Sequence, residues 1–371
     1  MPQRCRLLAE LHERKIPVFP NLQTLFPRFQ VDLMMIVTPI HVHAPQTCFA
    51  LQRGANVLCE KPLAGTMHDA MKMLEASRSA KGFAAIGYQW SFSAAVQALK
   101  REIMSGAFGR PIRMKTIVFF PRALSYFRRN DWVGRIHTAD GAGVLDSPVN
   151  NATSHYLHNM FYLLGPSRQS SAMPVTVQAE LYRANEIENY DTAAIRAVTD
   201  CGTEILLYTT HAVQDRKGPV MRFEFERAIV EFDGSASGQF IARFHDSRVK
   251  SFGQPNLDRH EKIWQSIDSV RTGRPVACDV NAAMAHTCCV MAAQRSSSIL
   301  DFPLRLRQTI EMEGEPMICV DGLYEALIDC YEHGVLPAGL GKCDWARAGN
   351  VIELDKAPLT APRAAAVPIH A

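Results

Sequence analysis

Two short stretches of this sequence gather side chains suited to binding or turning over a ligand. In the first, Asn56-Val57-Leu58-Cys59 runs into Glu60-Lys61-Pro62-Leu63-Ala64. The apolar part reads as a short buried strand. Proline has no N–H to continue a ladder, so the chain must turn at Lys61. A carboxylate and an ammonium, Glu60 and Lys61, are thereby left at the carboxyl end of a strand, where open α/β sheets bind ligands. The alternative is a surface turn with solvated charges. In the second stretch, Gly141-Ala142-Gly143-Val144-Leu145-Asp146 precedes Asn150-Asn151 and a run from Ala152 to Gly165. This run reads as a helix with Asn150 or Asn151 as its cap and Gly165 as its stop. At helical spacing Asn151, His155, His158, Asn159 and Tyr162 share one arc, and Leu157, Met160, Phe161 and Leu164 lie opposite. Solvated helix faces are usually built from Lys and Glu, yet residues 152–165 contain no Lys, Arg, Asp or Glu. A concave polar site is the better reading. His155 and His158 have metal-ligand spacing, but no third ligand is evident, so no metal is expected.

The elements that must hold these residues follow from periodicity. Arg6 to Lys15 reads as a helix end, Pro17-Val18-Phe19 as a short strand, and Asn21 as the cap of a brief helix through Phe26. Val31 to Val37 is almost continuously apolar, as suits a strand covered on both faces, and stops at Thr38-Pro39. A helix from His43 to Arg53 ends at Gly54, and Thr66-x-x-Asp69 opens another that runs to about Lys81. Phe83 to Tyr88 is the next strand, which gives an alternating, parallel α/β unit. After Gln89 the pattern changes. A helix over 93–105 precedes a strand over 112–120, and further strands are expected at 175–182, 192–199, 203–210, 221–225 and 228–232. With few helices between them they should pair antiparallel, an α+β arrangement. Helices return at 259–272 and 282–297. The expected division is therefore residues 1–92, 93–300 and an extension over 301–371, helical at 322–333 and disordered from Ala357 onward.

Composition narrows the class. The net charge of +3 over 371 residues, with no Lys/Arg block, argues against nucleic acid or an anionic membrane as a partner. Ten scattered cysteines without a CxxC pair read as reduced thiols. No apolar signal segment and no run of 18 uncharged apolar residues occurs, so a cytoplasmic rather than secreted or membrane-spanning protein is expected.

Taken together, Thr38-Pro39-x-x-x-His43, Gly54-x-x-Val57-Leu58-Cys59-Glu60-Lys61-Pro62-Leu63-Ala64 and Gly141-x-Gly143-Val144-Leu145-Asp146 with His155 resemble the Gfo/Idh/MocA oxidoreductases. The resemblance runs from about residue 5 to residue 300. It implies a Rossmann-type dinucleotide-binding domain, then a domain with an open, mostly antiparallel sheet that often makes homo-oligomer contacts. It also implies an NAD or NADP cofactor, lined by Thr38, Pro39, His43, Glu60 and Lys61, and a sugar, polyol or similar small hydroxylated substrate. Lys61 would orient the reacting hydroxyl and His155 would take its proton. Tyr126, Arg129, Trp132 and His158 are the further substrate candidates. The sequence departs from the family at Asn151, where many relatives have aspartate four residues before the catalytic histidine. Asp146, five residues upstream of Asn151, could substitute through an insertion. The family's opening strand, glycine-rich turn and second strand have no counterpart here, which suggests a start assigned too late, or else a truncated copy. Alternatives to the dehydrogenase reading are a non-catalytic sensor or regulator and an NAD-dependent glycosidase.

Overall fold

The computed structural model describes residues 7–235 and 237–355. Helices α1 (Leu8–Glu13) and α2 (Leu22–Leu25) lead into β1 (Leu33–Ile36), α3 (His43–Gln52), β2 (Asn56–Cys59), α4 (Met67–Ser79) and β3 (Ala84–Ile86). The three strands pair in parallel in the order β1-β2-β3. Local chemistry sets these boundaries. Asn21 Oδ1 accepts the Thr24 N–H at 3.0 Å to start α2, and Thr66 Oγ1 accepts the Asp69 N–H at 3.1 Å to start α4. The strand expected at 17–19 does not form; Val18 is exposed and no strand among the described residues offers it a ladder.

Beyond β3 come α5 (Gln89–Phe92), α6 (Ala94–Met104), β4 (Pro111–Phe119), α7 (Leu124–Arg128) and α8 (Ser154–Leu163). Then follow β5 (Pro174–Arg183), β6 (Thr192–Thr199), β7 (Glu204–Thr210), β8 (Lys217–Phe225), β9 (Ala228–Phe232), β10 (Ile241–Phe244) and β11 (Val249–Ser251). The described chain is completed by α9 (Glu261–Thr272), α10 (Val280–Ser296), β12 (Ile299–Asp301), β13 (Arg307–Met312), β14 (Glu315–Val320), α11 (Leu323–His333) and β15 (Ile352–Glu353). A ten-stranded sheet runs β11-β10-β9-β8-β4-β7-β6-β5-β12, with β15 also on β5. It is mostly antiparallel, as expected, but β4 pairs β7 and β5 pairs β12 in parallel. The fold is therefore α/β with a parallel Rossmann-like sheet and a large mixed one.

Strand alternation explains how the large sheet is covered. Met114 and Val118 of β4, with Ile205 and Leu207 of β7, face the main core under α6, α8 and α10. Ile117, Phe119, Leu206 and Tyr208 point the other way, into a second cluster closed by Leu323, Leu327, Cys330 and Tyr331 of α11. The segment after Pro303 thus covers the sheet face that the resemblance leaves open, and its helix forms where periodicity placed it. The tail expected to be disordered lies outside the described residues. No helix among the described residues is long and apolar enough to cross a membrane.

Candidate active site

Lys61 sits where the first strand argument put it. β2 ends at Cys59, and the ladder is extended once more by Glu60 N–H donating to Ile36 O at 2.8 Å before the cis Lys61–Pro62 bond turns the chain. The Lys61 ammonium then reaches across to the second stretch. Its Nζ donates to the backbone oxygen of Asn151 at 2.7 Å and to Asn151 Oδ1 at 2.9 Å. Asn151 Nδ2 in turn donates to Asp146 Oδ1 at 2.8 Å, and the other Asp146 oxygen accepts the Gly134 N–H at 2.7 Å. Asp146 therefore acts on Lys61 through an amide instead of replacing Asn151. Burial pulls Lys61 down to about 8, against the raising pull of the Glu60 and Asp146 carboxylates. Burial likewise raises Asp146, while its hydrogen bonds and the Arg129 and Lys61 charges hold it down. Glu60 itself is paired with Lys262 of α9.

The two stretches meet because glycines let them. A Cβ on Gly65 would lie 2.3 Å from Gly143 O, and one on Gly143 would lie 2.2 Å from Thr66 Cγ2. Leu145, next to Asp146, holds a φ of +45°, a strained conformation for leucine that the surrounding contacts must enforce. The chain then makes a π-helical turn over Pro148–Ala152, capped by Ser147, whose Oγ accepts the Asn150 N–H at 3.1 Å. Ser147 caps this turn, and α8 itself starts from Thr153 with no side-chain cap, so neither Asn150 nor Asn151 caps the helix. The wide turn frees Asn151 to aim at Lys61 and delivers His155 one turn later.

His155 is half-buried and meets Tyr88 edge-on at 5.9 Å. Its Nδ1 is buried with no partner among the described residues, leaving Nε2 as the accessible nitrogen. Burial, then the Lys61 and Lys262 charges, hold His155 well below the usual imidazole range, so it is neutral and can accept a proton. Behind it, Tyr88 Oη lies 3.0 Å from His286 Nδ1, and His286 Nε2 lies 3.0 Å from Val149 O. A carbonyl only accepts, so His286 carries its proton on Nε2 and Tyr88 donates to Nδ1.

The other expected site residues separate into two groups. Tyr126 and Arg129 come together, the Arg129 Cζ lying 4.1 Å from the Tyr126 ring centre, and the Asp146 charge bears on Tyr126. Thr38 Oγ1 bonds Gln46 Oε1 at 2.8 Å beside Pro39, at the carboxyl end of β1. His43 is fully buried, with Nδ1 2.9 Å from Pro62 O and Nε2 3.0 Å from Thr38 O, so it ties the two strand ends together. His158 is buried as well. It stacks on Tyr88 at 3.8 Å, bonds Ser91 Oγ at 2.9 Å and is sealed in the core. The far half of the arc, His158, Asn159 and Tyr162, is a buried polar network closed over by α5, α6 and the segment before α10, while Asn151 and His155 at its start are half-buried. Tyr162 there accepts from Gln97 Nε2 at 2.6 Å and donates to Ala277 O at 2.9 Å. Trp132 is half-buried and its ring has no aromatic partner among the described residues. Sequence reasoning missed Tyr88, His286 and Lys262. Tyr88 lies just past the carboxyl end of β3, where the rule that found Lys61 would have found it; Lys262 gave no local signal.

No described group of three or more His, Cys, Asp or Glu could hold a metal. For a nicotinamide cofactor the donor set is suitable at one end. The carboxyl ends of β1, β2 and β3 converge, and a cation and a neutral imidazole stand there with one imidazole nitrogen lacking a partner.

Known proteins share part of this sequence and most of this fold. Residues 3–88 match the sequence model of the GFO_IDH_MocA oxidoreductase family, NAD-binding Rossmann fold. The 1,5-anhydro-D-fructose reductase of Ensifer adhaerens is 34% identical over 124 residues, 33% of this chain and 36% of that protein. Inositol 2-dehydrogenase 4 of Saccharopolyspora erythraea is 35% identical over 85 residues, 23% of this chain and 25% of that protein. The chain thus aligns with about a third or less of the length of these curated relatives. Among solved structures, the WlbA dehydrogenase of Bordetella pertussis, in complex with NADH and UDP-GlcNAcA, superposes with a TM-score of 0.62 at 20% identity, covering 78% of this chain and 85% of that one. An Agrobacterium radiobacter oxidoreductase bound to NAD+, L-tartaric acid and magnesium gives 0.63 at 16% identity, covering 79% and 86%. Residues 3–88 are thus similar to the NAD-binding Rossmann domain of the Gfo/Idh/MocA oxidoreductases, and the structural likeness carries the fold over most of the chain.

Proposed function

We propose that this protein is an NAD(P)-dependent oxidoreductase acting on a hydroxyl of a sugar, polyol or related small molecule. The observation that carries the reading is Lys61, an ammonium fixed by Asn151 at the carboxyl end of β2, with the neutral His155 on the facing helix. A bound nicotinamide supplies the hydride chemistry. The chain's own residues handle the proton. Lys61 donates a hydrogen bond to the substrate oxygen and stabilises the negative charge that develops there. His155 accepts the hydroxyl proton, a contribution worth about 10²–10⁴-fold in rate for such bases. Thr38, Pro39 and Glu60 border the cofactor side, and Glu60 is held in place by Lys262. Tyr126 and Arg129 border the substrate side.

The reading extends to a cytoplasmic homo-oligomer. All nine described cysteines are free thiols, which suits a reducing compartment, and a monomeric mass by light scattering would remove the oligomer. The test of the activity is substrate-dependent NAD(P)+ reduction across a sugar and polyol panel, with Lys61→Met and His155→Gln beside the wild type. Reduction by the wild type that both variants lose supports the reading. No reduction with any panel member would leave it without support, and would favour a non-catalytic sensor.

A further inference from the structure

Near the Lys61–His155 pair stands a group of guanidiniums, of which Arg129 borders the substrate side while Arg122 and Arg216 have no part in the proposed reaction. Arg122 follows β4, Arg129 closes α7 and Arg216 precedes β8. Aromatic faces gather them. Arg122 Cζ lies 4.5 Å and Arg129 Cζ 4.1 Å from the Tyr126 ring centre, and Arg216 Cζ lies 4.8 Å from that of Phe120. Like charges in one place are ordinarily neutralised by carboxylates. Here every ion pair recorded among the described residues uses other side chains. Glu313, on the wall of the same pocket, and Asp215, next to Arg216 in the chain, pair with none of the three. Glu315, across from α7, accepts from Ser125 instead. Arg122 Nε is buried and has no hydrogen-bond partner among the described residues, an N–H left waiting for an acceptor.

Arg122 and Arg216 line a pocket of about 310 Å³ with Ser125, Tyr126, Gln214 and Glu313, and Arg129 stands over the Tyr126 ring at its side. Charge and packing tie this group to the candidate active site. The Arg129 charge bears on both Lys61 and Asp146, and the Arg216 charge bears on Tyr156, the residue after His155. The Tyr156 ring packs edge-on against Phe120 at 6.2 Å, which joins the two walls.

We propose that the substrate is an anionic hydroxylated molecule, whose carboxylate or phosphate is received by Arg122, Arg129 and Arg216 while its hydroxyl lies at Lys61 and His155. The second half of this statement rests on the oxidoreductase reading; the anion site stands apart from it. Guanidiniums suit the task because their planar forks bind carboxylate or phosphate oxygens in pairs, and stacking on Tyr126 and Phe120 holds the forks in place beforehand. A site for neutral polyols would have no need of a buried, unpartnered guanidinium N–H with two further guanidiniums around it.

The test is calorimetric titration of the full-length protein at low ionic strength with inorganic phosphate, D-glucuronate and neutral D-glucose, with NADH titrated into the same preparations by fluorescence. The variants are the double Arg129→Gln/Arg216→Gln and, as control, Arg248→Gln, which lies elsewhere and is paired with Asp246. The expected result is that phosphate or D-glucuronate binds at least tenfold more tightly than D-glucose. The double variant then loses that preference tenfold or more, while the control keeps it. Preference for phosphate points to a phosphorylated substrate, and preference for D-glucuronate to a carboxylate. Equal binding of anions and D-glucose, or a double variant that binds anions like the wild type, overturns the proposal. So does displacement of the anion by NADH, which would assign the guanidiniums to the nucleotide. NADH binding without anion binding sinks this inference alone, whereas anion binding without NADH binding sinks the oxidoreductase reading and leaves the anion site.

Discussion

Replacing Asp146 by Asn asks how strongly the amide bridge tunes Lys61. The carboxylate accepts two N–H groups, from Gly134 at 2.7 Å and from Asn151 at 2.8 Å. An asparagine keeps the shape but turns one of those acceptors into a donor. If its NH2 faces Asn151, two donors confront each other. Asn151 must then flip and give up the 2.9 Å bond from Lys61 Nζ. If it faces Gly134, a backbone N–H is stranded in the interior. In the first arrangement Lys61 loses a charge-assisted hydrogen bond, worth about 1.5–3 kcal/mol, and in both it loses the nearby negative charge. At about 1.4 kcal/mol per unit this lowers Lys61 by about one to two units from its value of about 8. At pH 7.5 the wild-type side chain is then mostly ammonium, and the variant's is mostly amine. Carbon NMR titration of Cε-labelled lysine, with the Lys61 signal assigned through Lys61→Met, reads the shift without any substrate. Once a substrate is known, the alkaline limb of kcat/KM should fall by the same amount. A Lys61 titration in Asp146→Asn within a few tenths of a unit of wild type would refute the relay.

Three other expectations follow from the same contacts. Gly65→Ala puts a Cβ 2.3 Å from the Gly143 carbonyl, so one of the two loops must move; we expect a loss of about 1–3 kcal/mol, seen as a lower Tm. An unchanged Tm would mean that the loops are not in contact. Lys100, buried over the Tyr162 ring, is pulled down to about 7 by burial, from an ordinary 10.5. Between those values the unfolded chain binds a proton that the native chain lacks, so this group's contribution to stability improves as pH rises. Lys100→Met should therefore gain most over wild type at pH 6, and its advantage should narrow by roughly 2–3 kcal/mol at pH 9.5 in urea unfolding; a pH-independent difference would contradict the burial of the charge. His155→Gln should lower substrate-dependent NAD(P)+ reduction by about 10²–10⁴-fold with little change in nucleotide affinity, and equal losses in both would make His155 a cofactor residue.

What could be read from the sequence was what is local. The β2 strand, the Glu60-Lys61-Pro62 corner and the Thr66 and Asn21 caps depend on residues a few positions apart, and they form where their chemistry dictates. The site could be read only in outline. Lys61 and Asn151 are 90 residues apart, and the bond between them depends on the glycine contact at Gly65 and Gly143. Nothing in Pro148-Val149-Asn150-Asn151 announced a π-helical turn, because the capping hydroxyl lies one residue earlier, on Ser147. The polar arc of α8 was visible, but its burial was not, since Ser91, Gln97 and Cys278 come from elsewhere in the chain to close it. Strand 17–19 failed for the opposite reason: its residues suit a strand, but no strand among the described residues is there to pair with it.

The central claim is that Lys61 and His155 border a nicotinamide site, and the most direct measurement is a fluorescence titration of the full-length protein with NADH and NADPH. Titrating Lys61→Met and Tyr88→Phe alongside separates the site's own contribution. The account predicts saturable binding of one of the two nucleotides, with enhanced nicotinamide emission that Lys61→Met weakens or shifts and Tyr88→Phe leaves nearly intact. Binding of neither nucleotide by the wild type would contradict it, and so would nicotinamide emission that does not respond to the change at Lys61.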